Sequence, residues 1–154
     1  MTADLELMRA ALDEARAAEA AGEVPIGAVI LFDGEIVAHG QNRVLRDNDP
    51  TAHAEVVALR AAAHAIGNYR LTGCTLVSTL EPCAMCAGAM IHARIDRLLF
   101  AADDPKAGAA GSVLQVLNHA ALNHQMTVDR GMLAAESTAL LREFFQRRRS
   151  SPAV

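Results

Sequence analysis

Short apolar runs alternate with helical segments along most of the chain, and this alternation constrains the fold more than any other feature of the sequence. After a first helix, two strand-like runs flank the turn dipeptide Asp33-Gly34, which predicts a β-hairpin. Buried helices and strands then follow one another, as in domains with helices on both faces of a sheet. We therefore expect an α/β fold with three layers and a mixed, five-stranded central sheet. The predicted helices cover residues 3–21, 52–66, 83–93 and 132–149, and the predicted strands cover residues 26–32, 35–40, 74–79, 97–102 and 127–130.

Two start signals and one long loop complete this prediction. Asp49-Pro50-Thr51 can start the second helix, and Glu81-Pro82 can open the third. The glycine-rich stretch 103–112 is predicted as a loop, and its length indicates a functional role.

The length and composition fit one globular domain. The chain has 154 residues, of which 52% are hydrophobic and 21% are charged. No apolar run approaches the roughly 20 residues of a membrane helix. The amino-terminal residues lack a basic region followed by an apolar core. We expect one domain over residues 1–149, a frayed tail over residues 150–154, no membrane partner and a cytoplasmic location.

Charge is distributed unevenly, although the formal net charge is only −4. Residues 1–35 carry eight acidic side chains and two arginines, whereas the remainder carries ten acidic and twelve basic side chains. Three of the basic side chains are contiguous, at Arg147–Arg149. The negative total disfavours a nucleic-acid binder, but a local basic patch can still bind a phosphate backbone. The total charge therefore does not decide whether the protein binds nucleic acid.

Three side chains have the chemistry and spacing of metal ligands. Cys83 and Cys86 are three residues apart, so both thiols face one side of a helical turn. The N-terminus of a helix also stabilises thiolates. His53 lies near the start of its own predicted helix and supplies an imidazole. These three ligands leave open the fourth position of a tetrahedral zinc ion. The open position indicates a catalytic zinc ion that binds a water molecule there. The ion lowers the pKa of this water from 15.7 to about 7.

Glu55 follows His53 by two residues, a poor spacing for a second ligand on the same helix. A carboxylate at this position can take a proton from the activated water and return it to a ring nitrogen and then to a departing amine. The set of four residues therefore indicates hydrolytic deamination of an amidine-like carbon.

Two other interpretations of the cysteines are weaker. A structural zinc site has four protein ligands, and neither Cys74 nor His92 has the spacing of the fourth. A redox Cys-x-x-Cys pair does not account for the His-x-Glu motif or for Pro82. Cys74 begins a predicted buried strand, so we expect it to be a core thiol.

His-x-Glu followed by Pro-Cys-x-x-Cys is the signature of zinc deaminases. The flanking stretches EVPIGAVI, NDPTAHAEVVALR, NYRL, TLEPCAMCAGAMIHARI and GAAGS resemble the bacterial tRNA-specific adenosine deaminases, within the zinc-dependent cytidine and deoxycytidylate deaminase superfamily. The similarity covers about residues 5–149. It implies a cytidine-deaminase-like fold, a homodimer and one zinc ion per subunit. It also implies conversion of adenosine to inosine at the wobble position of a tRNA anticodon stem-loop.

The same resemblance implies roles for individual residues. His53, Cys83 and Cys86 correspond to the zinc ligands, and Glu55 corresponds to the residue that transfers protons. Further positions correspond to substrate contacts: Asn42 to the asparagine that hydrogen-bonds the nucleoside, the Ala54 backbone to the wall of the base pocket, Asn123 to a residue of the nucleotide pocket, and Asp104, Lys106, Phe145 and Arg149 to regions that hold the anticodon loop.

Two other functions stay open on the sequence. A deaminase of free nucleobases or nucleosides, such as cytosine or guanine, would use the same zinc site on a smaller substrate. A noncatalytic RNA-binding subunit could share the fold. The presence of Glu55 disfavours that second alternative, since loss of the proton-transferring residue is the simplest way to inactivate such a site.

Overall fold

The five strands form one mixed sheet, as predicted. The structure is a computed structural model that describes residues 3–150 of the chain. The strand order is β2-β1-β3-β4-β5. The elements are α1 (Asp4–Ala20), β1 (Gly27–Phe32), β2 (Glu35–Gln41), α2 (Ala54–Ile66), β3 (Thr75–Leu80), α3 (Ala84–Ala93), β4 (Arg97–Ala102), β5 (Thr127–Arg130) and α4 (Ala134–Ser150).

The direction of the strands changes within the sheet. Strand β1 pairs antiparallel with both β2 and β3, whereas β3, β4 and β5 are parallel. The hairpin between β1 and β2 turns at Asp33 and Gly34, whose φ angles are 54° and 80°. Two successive positive φ angles are typical of the type I′ turn that the Asp-Gly pair predicts.

Helices cover both faces of the sheet because successive strand residues point to opposite sides. On one face, Leu98 and Phe100 of β4 belong to a core that includes buried residues of α2 and α3. On the other face, Leu99 and Ala101 pack with α1, and Leu140 of α4 lies against the same cluster. The three-layer α/β/α prediction is confirmed.

Close contact between strand β2 and helix α2 fixes the position of the helix start. A Cβ atom added at Gly40 would lie 2.2 Å from the Ala54 carbonyl oxygen and 2.7 Å from the Ala58 nitrogen. Only glycine allows this approach of strand to helix backbone. The contact lies at the first turn of α2, next to His53 and Glu55.

All four helices begin one or two residues later than the predicted ranges, and α2 and α3 also begin after their predicted start signals. Helix α2 begins at Ala54 rather than at residues 49–52, because the Asp49 side chain accepts hydrogen bonds from the Thr51 N–H (2.8 Å) and hydroxyl (2.7 Å). These bonds hold residues 49–51 in a turn. Helix α3 begins at Ala84, so Glu81 and Pro82 precede it.

The carboxyl-terminal boundary differs by one residue from the expected one. Helix α4 continues to Ser150, while the rest of the predicted tail, residues 151–154, lies outside the described residues. Within residues 3–150, no helix is both long and apolar enough to span a bilayer.

We predict that Gly40→Ala destabilises the fold by about 3 kcal/mol, because the added methyl group overlaps the backbone of α2. The measurement is the free energy of unfolding in denaturant. His39→Ala is the matched control, since His39 is the neighbouring strand residue and its side chain is 54% exposed; it should change stability by less than about 0.5 kcal/mol. Equal effects of the two substitutions would contradict the close approach at Gly40.

Candidate active site

His53, Cys83 and Cys86 come together at the N-terminal ends of two helices. His53 is the N-cap residue of α2, and Cys83 is the N-cap residue of α3. Neither side chain caps its own helix. Instead, their ligand atoms and the Cys86 Sγ all lie within 4.8 Å of one another. The three side chains are therefore directed to one point.

The distances in this cluster fit a tetrahedral zinc ion. His53 Nδ1 lies 3.6 Å from Cys83 Sγ and 3.4 Å from Cys86 Sγ. Usual zinc–sulfur and zinc–nitrogen bond lengths, set at the tetrahedral angle, separate the two ligand atoms by about 3.6 Å. Within the described chain, no fourth His, Cys, Asp or Glu joins the cluster. The donor set thus fits zinc with one position open to water or substrate.

Hydrogen bonds within the cluster favour the thiolate form of Cys83, whereas the bond to Cys83 raises the pKa of the Cys86 thiol. Cys83 accepts hydrogen bonds from Cys86 and His53, which lowers the pKa of the Cys83 thiol well below its usual value. The bond to Cys83 in turn raises the pKa of His53. Cys83 therefore holds negative charge at neutral pH, as a metal ligand must.

Glu55 lies beside the cluster in the interior of the protein. The residue is only 4% exposed, and burial raises the pKa of its carboxyl group to about 7. A hydrogen bond joins the Glu55 carboxyl group to the Cys86 thiol. A buried carboxyl group with this pKa can both accept and donate a proton near neutral pH.

Cys74 is separate from the cluster. It is fully buried in the core just before β3, and burial raises the pKa of its thiol to about 11. This environment matches the predicted core thiol and provides a non-ligand cysteine for comparison.

A cavity of about 450 Å³ brings together three of the predicted RNA contacts, Asp104, Lys106 and Phe145. Asp104 and Lys106 lie in the irregular segment between β4 and β5, and Phe145 lies on α4. The ring of Phe145 is 44% exposed and stands edge-on to Phe144, with ring centroids 5.4 Å apart. Arg149 follows Phe145 by four residues, so both lie on one side of α4.

The other predicted substrate contacts occupy different places. Asn42 follows β2, is 8% exposed, and its Oδ1 accepts a hydrogen bond from the Val44 N–H at 3.2 Å. Ala54 is fully buried in the first turn of α2, next to His53. Asn123 is exposed in the segment between β4 and β5 and does not line the cavity.

The arginine run at the end of α4 is partly occupied by contacts within the chain. Arg147 pairs with Glu19 of α1 at 2.6 Å. The guanidinium group of Arg148 lies over the Phe144 ring, 5.4 Å from its centroid. Arg147 therefore joins α4 to α1, in addition to any contact of the run with RNA.

Glu81 also belongs to this region, although the sequence indicated it only as part of a helix start signal. It is 2% exposed and lies between β3 and α3. Its carboxylate accepts backbone hydrogen bonds from Asp104, Ala110 and Ser112. The only sequence signal is its position directly before Pro82-Cys83, and that signal does not reveal partners more than 20 residues away.

Comparison with known proteins identifies the family of the chain. Residues 1–102 match the family described as the cytidine and deoxycytidylate deaminase zinc-binding region. The tRNA-specific adenosine deaminase of Haemophilus influenzae is 48% identical over 152 residues, which cover 98% of this chain and 88% of that protein.

Two solved structures share the fold. One, from a study of A-to-I editing by tRNA:A34 deaminases, has a TM-score of 0.85 and 45% identity, and the match covers 88% of this chain and 98% of the other. The guanine deaminase of Nitrosomonas europaea has a TM-score of 0.81 and 32% identity over 94% of this chain and 85% of the other. With its zinc-ligand cluster and this identity over nearly its whole length, the chain belongs to the zinc-dependent cytidine and deoxycytidylate deaminase family, in the branch of the tRNA-specific adenosine deaminases.

Proposed function

We propose that this protein deaminates adenosine to inosine at the wobble position of a tRNA anticodon. The observation that carries the proposal is the buried Glu55 carboxyl group beside a three-ligand cluster of His53, Cys83 and Cys86. A structural zinc site would have four protein ligands and would not need a buried carboxyl group beside it.

The zinc ligands prepare the site for hydrolysis. His53, Cys83 and Cys86 would hold the ion, and three protein ligands would leave one position for the reactants. Zinc bound there supplies a Lewis acid that makes water nucleophilic near neutral pH. The helix N-termini that carry His53 and Cys83 favour the negative charge of the thiolates.

Glu55 moves the protons of the reaction. Its carboxylate accepts a proton from the attacking water as oxygen bonds to C6 of adenine, and it delivers that proton to N1. The second water proton then passes through Glu55 to the 6-amino group, the C6–N bond breaks, and ammonia leaves. Burial of Glu55 excludes bulk water, so the proton stays between the carboxylate and the substrate.

The substrate class is supported by the residues around the cavity and by sequence similarity. The cavity joins the exposed Lys106 with the aromatic ring of Phe145, and an exposed arginine, Arg149, lies one helical turn beyond. Cations that contact phosphates and a ring that stacks with an unpaired base suit single-stranded RNA. Identity is 48% to a tRNA-specific adenosine deaminase and 32% to a guanine deaminase. We also place the protein in the cytoplasm, where thiols are kept reduced.

The experiment that tests the function measures inosine in an anticodon stem-loop with adenosine at the wobble position. We expect inosine in that RNA and no turnover of free adenosine, cytosine or guanine assayed in parallel. Anticodon bases are already partly unpaired, so extruding the adenosine costs little free energy. Turnover of free guanine without inosine in the RNA would instead favour a nucleobase deaminase.

Glu55→Ala should abolish turnover without releasing the metal. We expect the rate of inosine formation to fall by at least about a hundred-fold, because the variant lacks the buried carboxyl group that transfers the protons. Zinc content, measured by elemental analysis, should stay at one ion per chain. Near-wild-type deamination by this variant would show that another residue transfers the protons.

Cys86→Ala should remove the zinc ion, because it deletes one of three ligands. Loss of a residue that merely orients a ligand costs about 10–100-fold in metal affinity, and loss of the ligand itself should cost more. Cys74→Ala is the matched control, since Cys74 is also a buried cysteine but lies outside the cluster. Zinc content and activity should both be lost in the first variant and kept in the second.

We further propose that the protein is a homodimer that pairs through the face formed by α2 and α3. A groove of about 410 Å³ on this face is lined mostly by apolar side chains, with Arg60 and His92 at its edge. The lining residues are Val56, Leu59, Arg60, Ala63, Tyr69, Leu71, Ala89, His92 and Ala93. An exposed apolar groove of this kind suits contact with a second protein surface.

Light scattering after gel filtration should therefore give twice the 16.3 kDa mass of the chain. Ala63→Glu places a charge in the groove and should yield monomers. Ala65→Glu is the control, because Ala65 is two residues further along α2, is exposed, and does not line this groove. Dimers in both variants would exclude this face as the interface.

A further inference from the structure

Glu81 is a buried carboxylate whose hydrogen-bond partners all belong to one distant segment. Its Oε1 accepts hydrogen bonds from the Asp104 N–H (3.0 Å) and from the Ser112 hydroxyl. Its Oε2 accepts hydrogen bonds from the N–H groups of Ala110 (2.9 Å) and Ser112 (3.1 Å). Each carboxylate oxygen therefore accepts two hydrogen bonds, and the donors span residues 104–112.

These bonds keep the carboxylate charged although it is buried. Burial alone would raise the pKa of Glu81, but the hydrogen bonds from Ser112, Asp104 and Ala110 outweigh it and lower the pKa. Hydrogen bonds to a charged acceptor are roughly twice as strong as those between neutral groups. Glu81 thus acts as a charged anchor for the backbone of this segment.

The segment is wrapped so tightly around the carboxylate that one position accepts only glycine. A Cβ atom added at Gly108 would lie 2.4 Å from Glu81 Cδ and 2.5 Å from both carboxylate oxygens. A second attachment lies beside it, where the Ala109 N–H donates a hydrogen bond to the Pro82 carbonyl oxygen at 2.8 Å. The segment is therefore held against the two residues that directly precede Cys83.

The anchored segment carries part of the cavity wall. Asp104 and Lys106 line the cavity together with Phe145. The Asp104 side chain accepts hydrogen bonds from the N–H groups of Lys106 (3.0 Å) and Ala107 (3.2 Å), so the position of Lys106 follows that of Asp104. Since the Asp104 N–H donates a hydrogen bond to Glu81, the cavity wall is attached to the residues that precede α3.

We propose that Glu81 is a positioning residue for RNA, which fixes the cavity wall relative to the metal cluster. It thereby sets the distance between the groups that hold the anticodon loop and the ligands that surround the reacting base. This inference rests on the proposed function. It assigns to Glu81 an effect on RNA binding and not on proton transfer.

Glu81→Gln tests the proposal because it preserves size and removes charge. Either orientation of the new amide places its NH₂ group against at least one backbone N–H donor, since each oxygen of Glu81 faces one or more. We expect the KM for the anticodon stem-loop to rise about ten-fold. The kcat should stay within about two-fold of wild type, because positioning affects RNA binding while Glu55 and the ligands are intact. Zinc should stay at one ion per chain.

The control is Asp4→Asn, which breaks an ion pair of α1 with Arg97 at 2.8 Å on a different part of the molecule. It should leave KM unchanged. A lower kcat at unchanged KM, or loss of zinc, in Glu81→Gln would indicate a purely structural role and overturn the proposal. The proposal is also overturned if the wild type is active and Glu81→Gln leaves the KM unchanged. A wild type that forms no inosine would overturn the proposed function itself.

A second pair of variants tests the contact directly if Glu81→Gln folds poorly. Gly108→Ala should raise KM as Glu81→Gln does, because the new methyl group displaces the carboxylate. Glu81→Ala removes the carboxylate that the new methyl group would contact. In that background, Gly108→Ala should therefore have no further effect on KM. Additive effects of the two substitutions would show that Gly108 acts independently of Glu81 and would overturn the proposed anchor.

Discussion

The meeting of two helix N-termini is the constraint on which the rest of the structure depends. Both N-cap residues, His53 and Cys83, direct their side chains to the metal cluster instead of to their own helices. The positive ends of the two helix dipoles then lie at the same point, which favours thiolate ligands. This arrangement requires α2 to lie close to β2, and Gly40 allows that approach.

The sequence predicted most of the fold because its signals are local. Alternating apolar runs located the strands and helices, and the Asp-Gly turn located the hairpin. The metal ligands were equally predictable, because Cys83 and Cys86 share one helical turn and His53 precedes Glu55 in a recognisable pattern. The start of α2 was placed too early, since Asp49 folds back on Thr51 and forms a turn instead of a helix.

The role of Glu81 could not be predicted from the sequence. Three of its four hydrogen-bond donors are backbone N–H groups, 23 to 31 residues away, and backbone groups leave no mark on the identity of side chains. The pairing of Leu80 with Ala102 in parallel strands brings Glu81 next to Asp104. Only the register of the sheet, which the sequence did not specify, makes these residues neighbours.

The metal cluster and the cavity of the proposed RNA contacts are built from different parts of the chain. The metal cluster and Glu55 lie at the starts of the two helices on one face of the sheet, whereas the cavity is lined mostly by the segment after β4 and by α4. The guanine deaminase of Nitrosomonas europaea keeps the fold at 32% identity. With this division, a change in the irregular segment or the last helix would alter the proposed RNA contacts and leave the residues of the hydrolytic centre untouched.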